Sequence, residues 1–154
     1  WLENTAVEHL HSFDVLDHPY SKAQVELVSR LYPGRFTMHG GDSRRTLPQF
    51  ASQLKSMPVH ERSPQHGSLC DLWYIDGGHV GVLPAADMGN AIRSSHNGTI
   101  MVCDDCTNHW AYVKNSFKEL QKRNKLGDPW PIPMFQYYKS NKAGWCAGLV
   151  NKTS

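Results

Sequence analysis

Short apolar runs alternate with helix-period apolar positions along the 154 residues of this chain. Two of the runs, 70–76 and 99–104, are apolar on successive residues, as are strands that a parallel sheet buries on both faces. Between the runs, apolar residues recur at spacings of three and four, which is the period of an amphipathic helix. The element order is therefore β-α-β-α-β-α-β-α-β-β, and it predicts a mostly parallel α/β sheet.

Turn residues and capping signals set the predicted bounds of these elements. Strands are predicted at 8–15, 35–40, 70–76, 99–104, 132–139 and 144–151, and helices at 21–31, from Thr46, at 84–95 and at 108–125. Capping boxes at Ser21 with Gln24 and at Thr46 with Gln49 start the first two helices. The short link at 140–143 makes the last two strands an antiparallel hairpin, and 57–69 is the longest loop.

Composition indicates one ordinary globular domain over 1–154. Hydrophobic residues make up 40% of the chain and charged residues 19%, which is unlike a disordered chain. A net charge of +2 is too small to argue for nucleic acid as a partner. No apolar run approaches the roughly 20 residues that span a bilayer. A small-molecule substrate is the expected partner, and the pattern is compatible with a homo-oligomer.

The four cysteines, Cys70, Cys103, Cys106 and Cys146, are interpreted as structural. Cys103 and Cys106 form a C-x-x-C pair, which alone would suggest zinc or redox chemistry. A structural zinc site needs a second pair of ligands, and the chain has no second C-x-x-C. Cys70 and Cys103 lie in apolar strands, where a thiol behaves as a small hydrophobic group.

Acidic side chains follow each of the four predicted parallel strands. They belong to Asp14, to Gly41-Asp42-Ser43, to Asp76-Gly77-Gly78-His79 and to Asp104-Asp105. Ligands of open α/β sheets bind beyond the carboxyl ends of the strands. Carboxylates gathered at one edge repel one another, which costs stability. A cation or a hydroxyl-rich ligand would explain why they are there.

The run DLWYIDGGHVGVLPAADMGNAIRSSHNGTIMVCDD resembles the central part of class I S-adenosylmethionine-dependent methyltransferases. It is most similar to the branch of small-molecule and sugar O-methyltransferases, in which a strand ending in Asp-Gly-x-His precedes a strand ending in Asp-Asp. The Gly-Asp-Ser turn one strand earlier strengthens the resemblance. The family implies a Rossmann-like sheet with an antiparallel finish and an S-adenosylmethionine cofactor.

The resemblance also implies roles for individual residues. Asp14 would accept hydrogen bonds from the cofactor ribose, since a carboxylate suits a vicinal diol. Asp42 and Ser43 would lie beside the adenine, and Asp76 belongs to the cofactor-binding and catalytic sets as well.

A metal site is implied as well. Asp76, Asp104 and Asp105 match the positions at which metal-dependent members hold a divalent cation, and three hard oxygen ligands suit Mg²⁺. The cation would bind substrate hydroxyls and lower the pKa of one of them. His79 could then take that proton as a catalytic base.

Plainer interpretations stand beside these roles. Asp14 could close the turn that follows its strand, and Asp42-Ser43 could be an ordinary turn with a helix cap. Asp105 could cap a helix that starts at Thr107, where its charge is favourable. His79 could be an ordinary surface histidine. Trp110, by its helical spacing, is expected to pack.

The family's first strand and its glycine-rich cofactor loop have no counterpart in the pattern. We therefore expect the chain to be a partial domain that begins after that loop, with 1–3 as the tail of the following helix and no activity by itself. Two other functions stay open. One is a non-catalytic interaction module on the same fold, and the other is a metal-dependent hydrolase or hydroxylase.

Overall fold

The structure is a computed structural model that describes residues 2–3, 7–56, 70–123, 125–127, 137–138 and 143–152, with the backbone alone at 137–138. It divides into two compact units, Trp1–Leu47 and Pro48–Ser154. The predicted loop at 57–69 and most of the predicted strand at 132–139 lie outside the described residues. The single partial domain stays a prediction. Among the helices of the described ranges, none combines the length and the hydropathy that a membrane span requires.

The first unit contains a β-α-β arrangement. Strand β1 (Leu10–Asp14) pairs in parallel with β2 (Phe36–Gly40), and helix α1 (Ser21–Leu31) connects them. The chain leaves α1 through Gly34, whose φ of 73° is one that side chains with a Cβ rarely adopt. The predicted strands and helix are confirmed. The capping box at Ser21 is wrong, because Tyr20 is the N-cap and no side chain caps this helix.

Helix α2 (Ser43–Ser56) begins earlier than the predicted start at Thr46. The Asp42 carboxylate accepts the backbone N–H of Arg44 at 2.9 Å. Its carbonyl oxygen accepts the N–H groups of Arg45 and Thr46 at 2.9 and 3.0 Å. Asp42 is thus the cap, and Pro48 lies inside the helix. The capping box at Thr46 was wrong because an acidic side chain one turn earlier satisfies the first N–H groups.

The second unit carries a five-stranded sheet. Its elements are β3 (Cys70–Ile75), α3 (Leu83–Arg93), β4 (Ser95–Cys103), α4 (Ala111–Lys122), β5 (Leu126–Gly127), β6 (Tyr137–Tyr138) and β7 (Gly144–Val150). The order is β3-β4-β7-β5, with β6 paired to β7. β3 and β4 are parallel, whereas every pairing of β7 is antiparallel. The α/β class and the antiparallel finish are confirmed, and β5 was not predicted.

Strand β4 begins at Ser95, earlier than the predicted start at 99, because its first four residues, Ser-His-Asn-Gly, carry no apolar side chain. Ser95 donates its hydroxyl to the carbonyl of Ala91 at 2.8 Å, and Thr99 donates to the carbonyl of Cys70 at 2.7 Å. Both side chains are fully buried. A buried hydroxyl is tolerated when it finds such a partner, so the strand extends beyond its apolar run.

The core of this unit lies between the sheet and its helices. Met88 of α3, Met101 of β4 and Phe117 of α4 are almost completely inaccessible to solvent. Burying each of these side chains is worth about 1.5–3 kcal/mol. Helix α3 contacts β3, β4 and α4, so this packing places α3 against the sheet.

Three histidines cluster on the β1–β2 pair. The Nδ1 of His11 lies 3.0 Å from the Nε2 of His39, and the ring centroid of His9 lies 4.4 Å from that of His11. Burial, and then the neighbouring imidazoles of His9 and His39, lower the pKa of His11 to about 4. Burial and His9 also lower the pKa of His39. The pair is therefore neutral in the folded chain at pH 7.

This cluster makes stability depend on pH. In the unfolded chain the pKa of His11 is near its ordinary value of 6.5, whereas in the folded chain its pKa is about 4. The free energy of unfolding should therefore fall as the pH falls from 6.5 towards 4. We expect His11→Phe to flatten this slope in chemical denaturation at pH 7, 6 and 5. His18→Gln, at an exposed histidine, should leave it unchanged. Equal slopes in all three proteins would contradict the assignment.

Candidate active site

Strands β3 and β4 end side by side. Ile75 pairs with Cys103 in the parallel ladder, and the N–H of Asp104 donates to the carbonyl of Ile75 at 2.9 Å. Asp76 and Asp104 therefore leave adjacent strands at the same edge of the sheet. The sequence predicted that these strand ends meet, and the described geometry brings them together.

Asp76, His79 and Asp105 form a compact group at this edge. The Nε2 of His79 lies 3.3 Å from an Asp105 carboxylate oxygen and 3.6 Å from an Asp76 carboxylate oxygen. One donor atom from each residue lies within 4.8 Å of the other two. The His79 Nε2 is buried and makes no hydrogen bond among the described residues. The alternative of an ordinary surface histidine does not fit this position.

Two glycines let the loop between Asp76 and His79 lie close to α3. A Cβ at Gly77 would meet an Asp87 carboxylate oxygen at 2.8 Å, and a Cβ at Gly78 would meet the Leu83 side chain at 2.6 Å. Both distances are too short for ordinary contact. The glycines thus bring the loop onto the helix, which holds the His79 imidazole at the strand ends.

His79 is also held by an aromatic neighbour. Its ring centroid lies 4.8 Å from that of Trp110, which comes just before α4. Trp110 was expected to pack against other side chains, and its ring packs against the His79 imidazole.

Asp105 adopts the left-handed backbone conformation, with φ at 52°. Non-glycine residues rarely do so, and they concentrate at functional sites when they do. The alternative of Asp105 as a helix cap is wrong, because α4 begins at Ala111 and its N-cap is Trp110. Its conformation instead directs its carboxylate to His79.

Asp104 directly precedes Asp105 and has hydrogen-bond partners of its own. One of its carboxylate oxygens accepts the Asp105 N–H at 2.8 Å, and the other accepts the Tyr74 hydroxyl at 2.7 Å. Sequence reasoning missed Tyr74. Its only signal was its place in β3 two residues before Asp76, which puts both on one face of the strand. Asp104 as a metal ligand stays a prediction.

The site concentrates negative charge. Burial and then the Asp104 carboxylate raise the pKa of Asp76; Asp105 adds to this rise and His79 opposes it. Burial, followed by the hydrogen bond to Asp104, raises the pKa of Tyr74, so its hydroxyl remains a donor. A divalent cation would relieve the repulsion, and the carboxylates of Asp76 and Asp105 are oxygen donors that such a cation accepts. The residues present therefore fit the implied metal.

The predicted nucleoside contacts lie in the first unit. An exposed Asp14 is the last residue of β1, where its carboxylate accepts the N–H of Leu16 at 2.6 Å and its carbonyl accepts the N–H of Gly41 at 2.8 Å. It therefore closes the turn, as the plainer interpretation held, and still lies at the strand end. Its ribose role stays a prediction.

Asp42 has a local role. Besides capping α2, its carboxylate binds the Arg44 guanidinium, with both oxygens 3.0 Å from Nε. Hydrogen bonds from Arg44 lower the pKa of Asp42 to about 2. Ser43 is the first residue of α2. The turn-and-cap interpretation is confirmed for Asp42, while adenine contacts by Asp42 and Ser43 stay predictions.

A disulfide that the sequence analysis did not foresee lies beside the site. Cys106, directly after Asp105, is bonded to Cys146 of β7, with their Cα atoms 5.6 Å apart. Cys103 is a buried thiol, and Cys70 is also unbonded to another cysteine. The C-x-x-C is therefore not a redox pair in this state, because Cys106 has a different partner. Spacing alone could not reveal this bond, which joins residues 40 positions apart.

Comparisons with known proteins agree with the fold. A family model described as a methyltransferase domain matches residues 2–106. The comparison with curated proteins gives no match.

Three solved structures illustrate the structural likeness. Cofactor-bound Rv0187 from MTB has a TM-score of 0.64 at 17% identity, covering 92% of this chain and 61% of its own. The O-methyltransferase from Bacillus cereus, in complex with SAH, has a TM-score of 0.63 at 12% identity. The match covers 93% of this chain and 63% of that structure. The O-methyltransferase TomG from Streptomyces achromogenes, involved in tomaymycin synthesis and in complex with SAM, has a TM-score of 0.62 at 14% identity. The match covers 93% of this chain and 62% of that structure. The chain thus spans 61–63% of the length of these structures.

The disulfide should contribute measurably to stability. We expect Cys146→Ala to lower the free energy of unfolding by about 2–4 kcal/mol, because the bond restricts the unfolded chain. Dithiothreitol should lower the stability of the unaltered chain by a similar amount and leave the variant unaffected. The measurement is denaturation with and without reductant, with Cys70→Ser as a control that keeps its sensitivity. An unaltered chain that is indifferent to reductant would argue against the bond.

Proposed function

We propose, because this chain belongs to the methyltransferase domain family, that its protein transfers the methyl group of S-adenosylmethionine to an oxygen of a small molecule or sugar. The observation that supports this most directly is the Asp76–His79–Asp105 group at adjoining strand ends. A hydroxyl acceptor must lose a proton on methylation, and this group offers both a cation site and a base. The SAM and SAH complexes of the similar structures are consistent with the donor.

S-adenosylmethionine, when bound, supplies an electrophilic methyl group. Within the first unit, we propose Asp14 for its ribose, since an exposed carboxylate at the end of a strand can accept two hydrogen bonds from a diol. The Leu16 N–H fixes the orientation of this carboxylate. Asp42 and Ser43 are proposed to lie beside the adenine, and the cap of α2 keeps that turn in place.

Asp76 and Asp105 are proposed to hold Mg²⁺, which prefers oxygen donors. When bound, the cation would orient an acceptor hydroxyl and lower its pKa. Asp105 is directed to this place by its left-handed backbone. Asp76 reaches it from the neighbouring strand end, where burial and then the charges of Asp104 and Asp105 raise its pKa.

His79 is proposed as the base that accepts the acceptor's proton. Imidazole is the side chain that most often moves protons near neutral pH. Its Nε2 faces both carboxylates, and Trp110 packs against its ring. Because Mg²⁺ binds imidazole poorly compared with oxygen, the Nε2 stays available for the proton.

Calorimetry of the full-length protein with S-adenosylmethionine tests the donor. We expect Asp14→Asn to weaken binding about tenfold or more, because a charged acceptor is lost while the Leu16 N–H keeps an oxygen partner. Asp17→Asn, at the neighbouring exposed carboxylate, should bind like the unaltered protein. Absence of S-adenosylmethionine binding to the unaltered protein would defeat the proposed function.

A second prediction tests whether His79 acts as the base or as a ligand of the cation. We expect His79→Gln to lower kcat for methyl transfer by roughly 10²–10⁴, while the Kd for Mg²⁺ changes less than about twofold. His96→Gln is a matched control, since His96 also lies beside a carboxylate, that of Asp71, at 3.0 Å. A fall in Mg²⁺ affinity as large as the fall in kcat would make His79 a ligand instead.

A further inference from the structure

We propose that Asn97 is a site of N-linked glycosylation, at an exposed turn near the start of β4, and that the protein matures in the secretory pathway. The triplet Asn97-Gly98-Thr99 has the acceptor pattern Asn-x-Ser/Thr, with a residue other than proline in the middle. Such triplets also arise by chance, and it is the structure around this one that supports modification. Glycosylation at Asn97 is independent of the proposed methyl transfer.

The first support is a bulge that carries the triplet out of the sheet. Between the pairs made by Cys70 and by Leu72, β4 advances five residues where β3 advances two. The extra residues of β4 leave the ladder, as in a β-bulge. Asn97 and Gly98 are exposed there, and Gly98 has a φ of 89°. The Asn97 side chain therefore lies on a protruding surface turn, the kind of place that a bulky glycan requires.

The second support is the set of hydrogen bonds around this turn. The Thr99 hydroxyl accepts the N–H of His96 at 3.0 Å and donates to the carbonyl of Cys70 at 2.7 Å. The Oδ1 of Asn97 accepts the N–H of Lys152 at 3.3 Å. An N-linked glycan is attached to the amide nitrogen, so it would leave the Oδ1 contact in place. The folded turn is thus compatible with a sugar on Asn97.

Burial of Thr99 sets the order of events. The hydroxyl residue is part of the pattern that the transferase recognises, and Thr99 is fully buried in the folded chain. Transfer must therefore precede the folding of β4 against β3, while the triplet is still accessible.

The transfer itself uses a lipid-linked oligosaccharide diphosphate as the donor. The Nδ2 of Asn97 forms a bond to the anomeric carbon of the oligosaccharide, and the bond from that carbon to the diphosphate oxygen breaks. The lipid diphosphate leaves, and the amide nitrogen loses one proton. The sugar is therefore attached without any oxidant or reductant.

The third support is the disulfide between Cys106 and Cys146. Disulfides persist in oxidising compartments such as the lumen of the endoplasmic reticulum and are rare in the cytosol. The same lumen is where N-linked glycans are attached. The disulfide and the exposed triplet therefore indicate one compartment through two independent kinds of chemistry.

The turn lies away from the candidate active site along β4. Asn97 is in the first half of this strand, whereas Asp104 and Asp105 follow its end. At the usual rise per residue, on the order of 15–20 Å of strand separate Asn97 from Asp104. A glycan on Asn97 would therefore leave the strand ends of the site open.

The test is site-resolved mass spectrometry of the full-length protein, expressed from its complete coding sequence in cultured eukaryotic cells. Peptide N-glycosidase in heavy-oxygen water deamidates and labels only the asparagines that carried a glycan. We expect the label at Asn97, and we expect Asn97→Gln to lose the corresponding shift in electrophoretic mobility on deglycosylation. Asn115→Gln is the matched control, since Asn115 is an exposed asparagine of α4 outside any acceptor triplet, and it should keep the full shift.

Variants of Thr99 test the acceptor pattern while Asn97 stays unaltered. Thr99→Ser keeps the pattern and a hydroxyl for the turn, so the label at Asn97 should remain. Thr99→Ala breaks the pattern, so the label should be lost. Because transfer precedes folding, the label is read on peptides from whole cell extracts, and a folding defect in Thr99→Ala does not obscure it.

Three results would overturn the proposal. One is absence of the label at Asn97 in the unaltered protein, whether or not the disulfide has formed. Another is a label confined to Asn151, the acceptor of a second triplet, Asn151-Lys152-Thr153. The third is a label at Asn97 that persists in Thr99→Ala, because N-linked transfer requires the hydroxyl residue.

Discussion

The parallel pairing of β3 with β4 is the constraint on which the candidate site depends. Because Ile75 pairs with Cys103, the next residues of both strands, Asp76 and Asp104, emerge at the same level of the sheet. A one-residue slip would exchange the faces of every side chain on one strand. The bond from the buried Thr99 hydroxyl to the Cys70 carbonyl and the burial of Met101 oppose such a slip.

The same pairing creates an electrostatic cost. It brings three carboxylates together, and burial followed by the charges of Asp104 and Asp105 raises the pKa of Asp76. Several contacts partly offset it: the Tyr74 hydroxyl and the Asp105 N–H bind Asp104, and the His79 imidazole lies between the other two carboxylates. The cation of the proposed function would relieve the remaining repulsion.

Much of the fold could be predicted because its elements follow periodic patterns, and the strand ends of the site could be predicted because they follow apolar runs. What sequence reasoning missed depends on pairs that are distant along the chain. The Tyr74–Asp104 hydrogen bond and the Cys106–Cys146 disulfide need the sheet to exist first. Local errors had another cause: the Asp42 cap starts α2 earlier than predicted, and the first four residues of β4 carry no apolar side chain that would indicate a strand.

The two halves of the proposed reaction have different structural origins. The residues proposed for the nucleoside lie in the first unit, where Asp14 ends β1 opposite Gly40 of β2 and Asp42 caps α2. The residues proposed for the cation and the proton are placed by strand pairing in the second unit, between elements distant in sequence. Among the described residues, β1 pairs with β2, and β3 pairs with β4. Substitutions in β3 or β4 should therefore act on cation binding and proton transfer far more than on the turns that present Asp14 and Asp42.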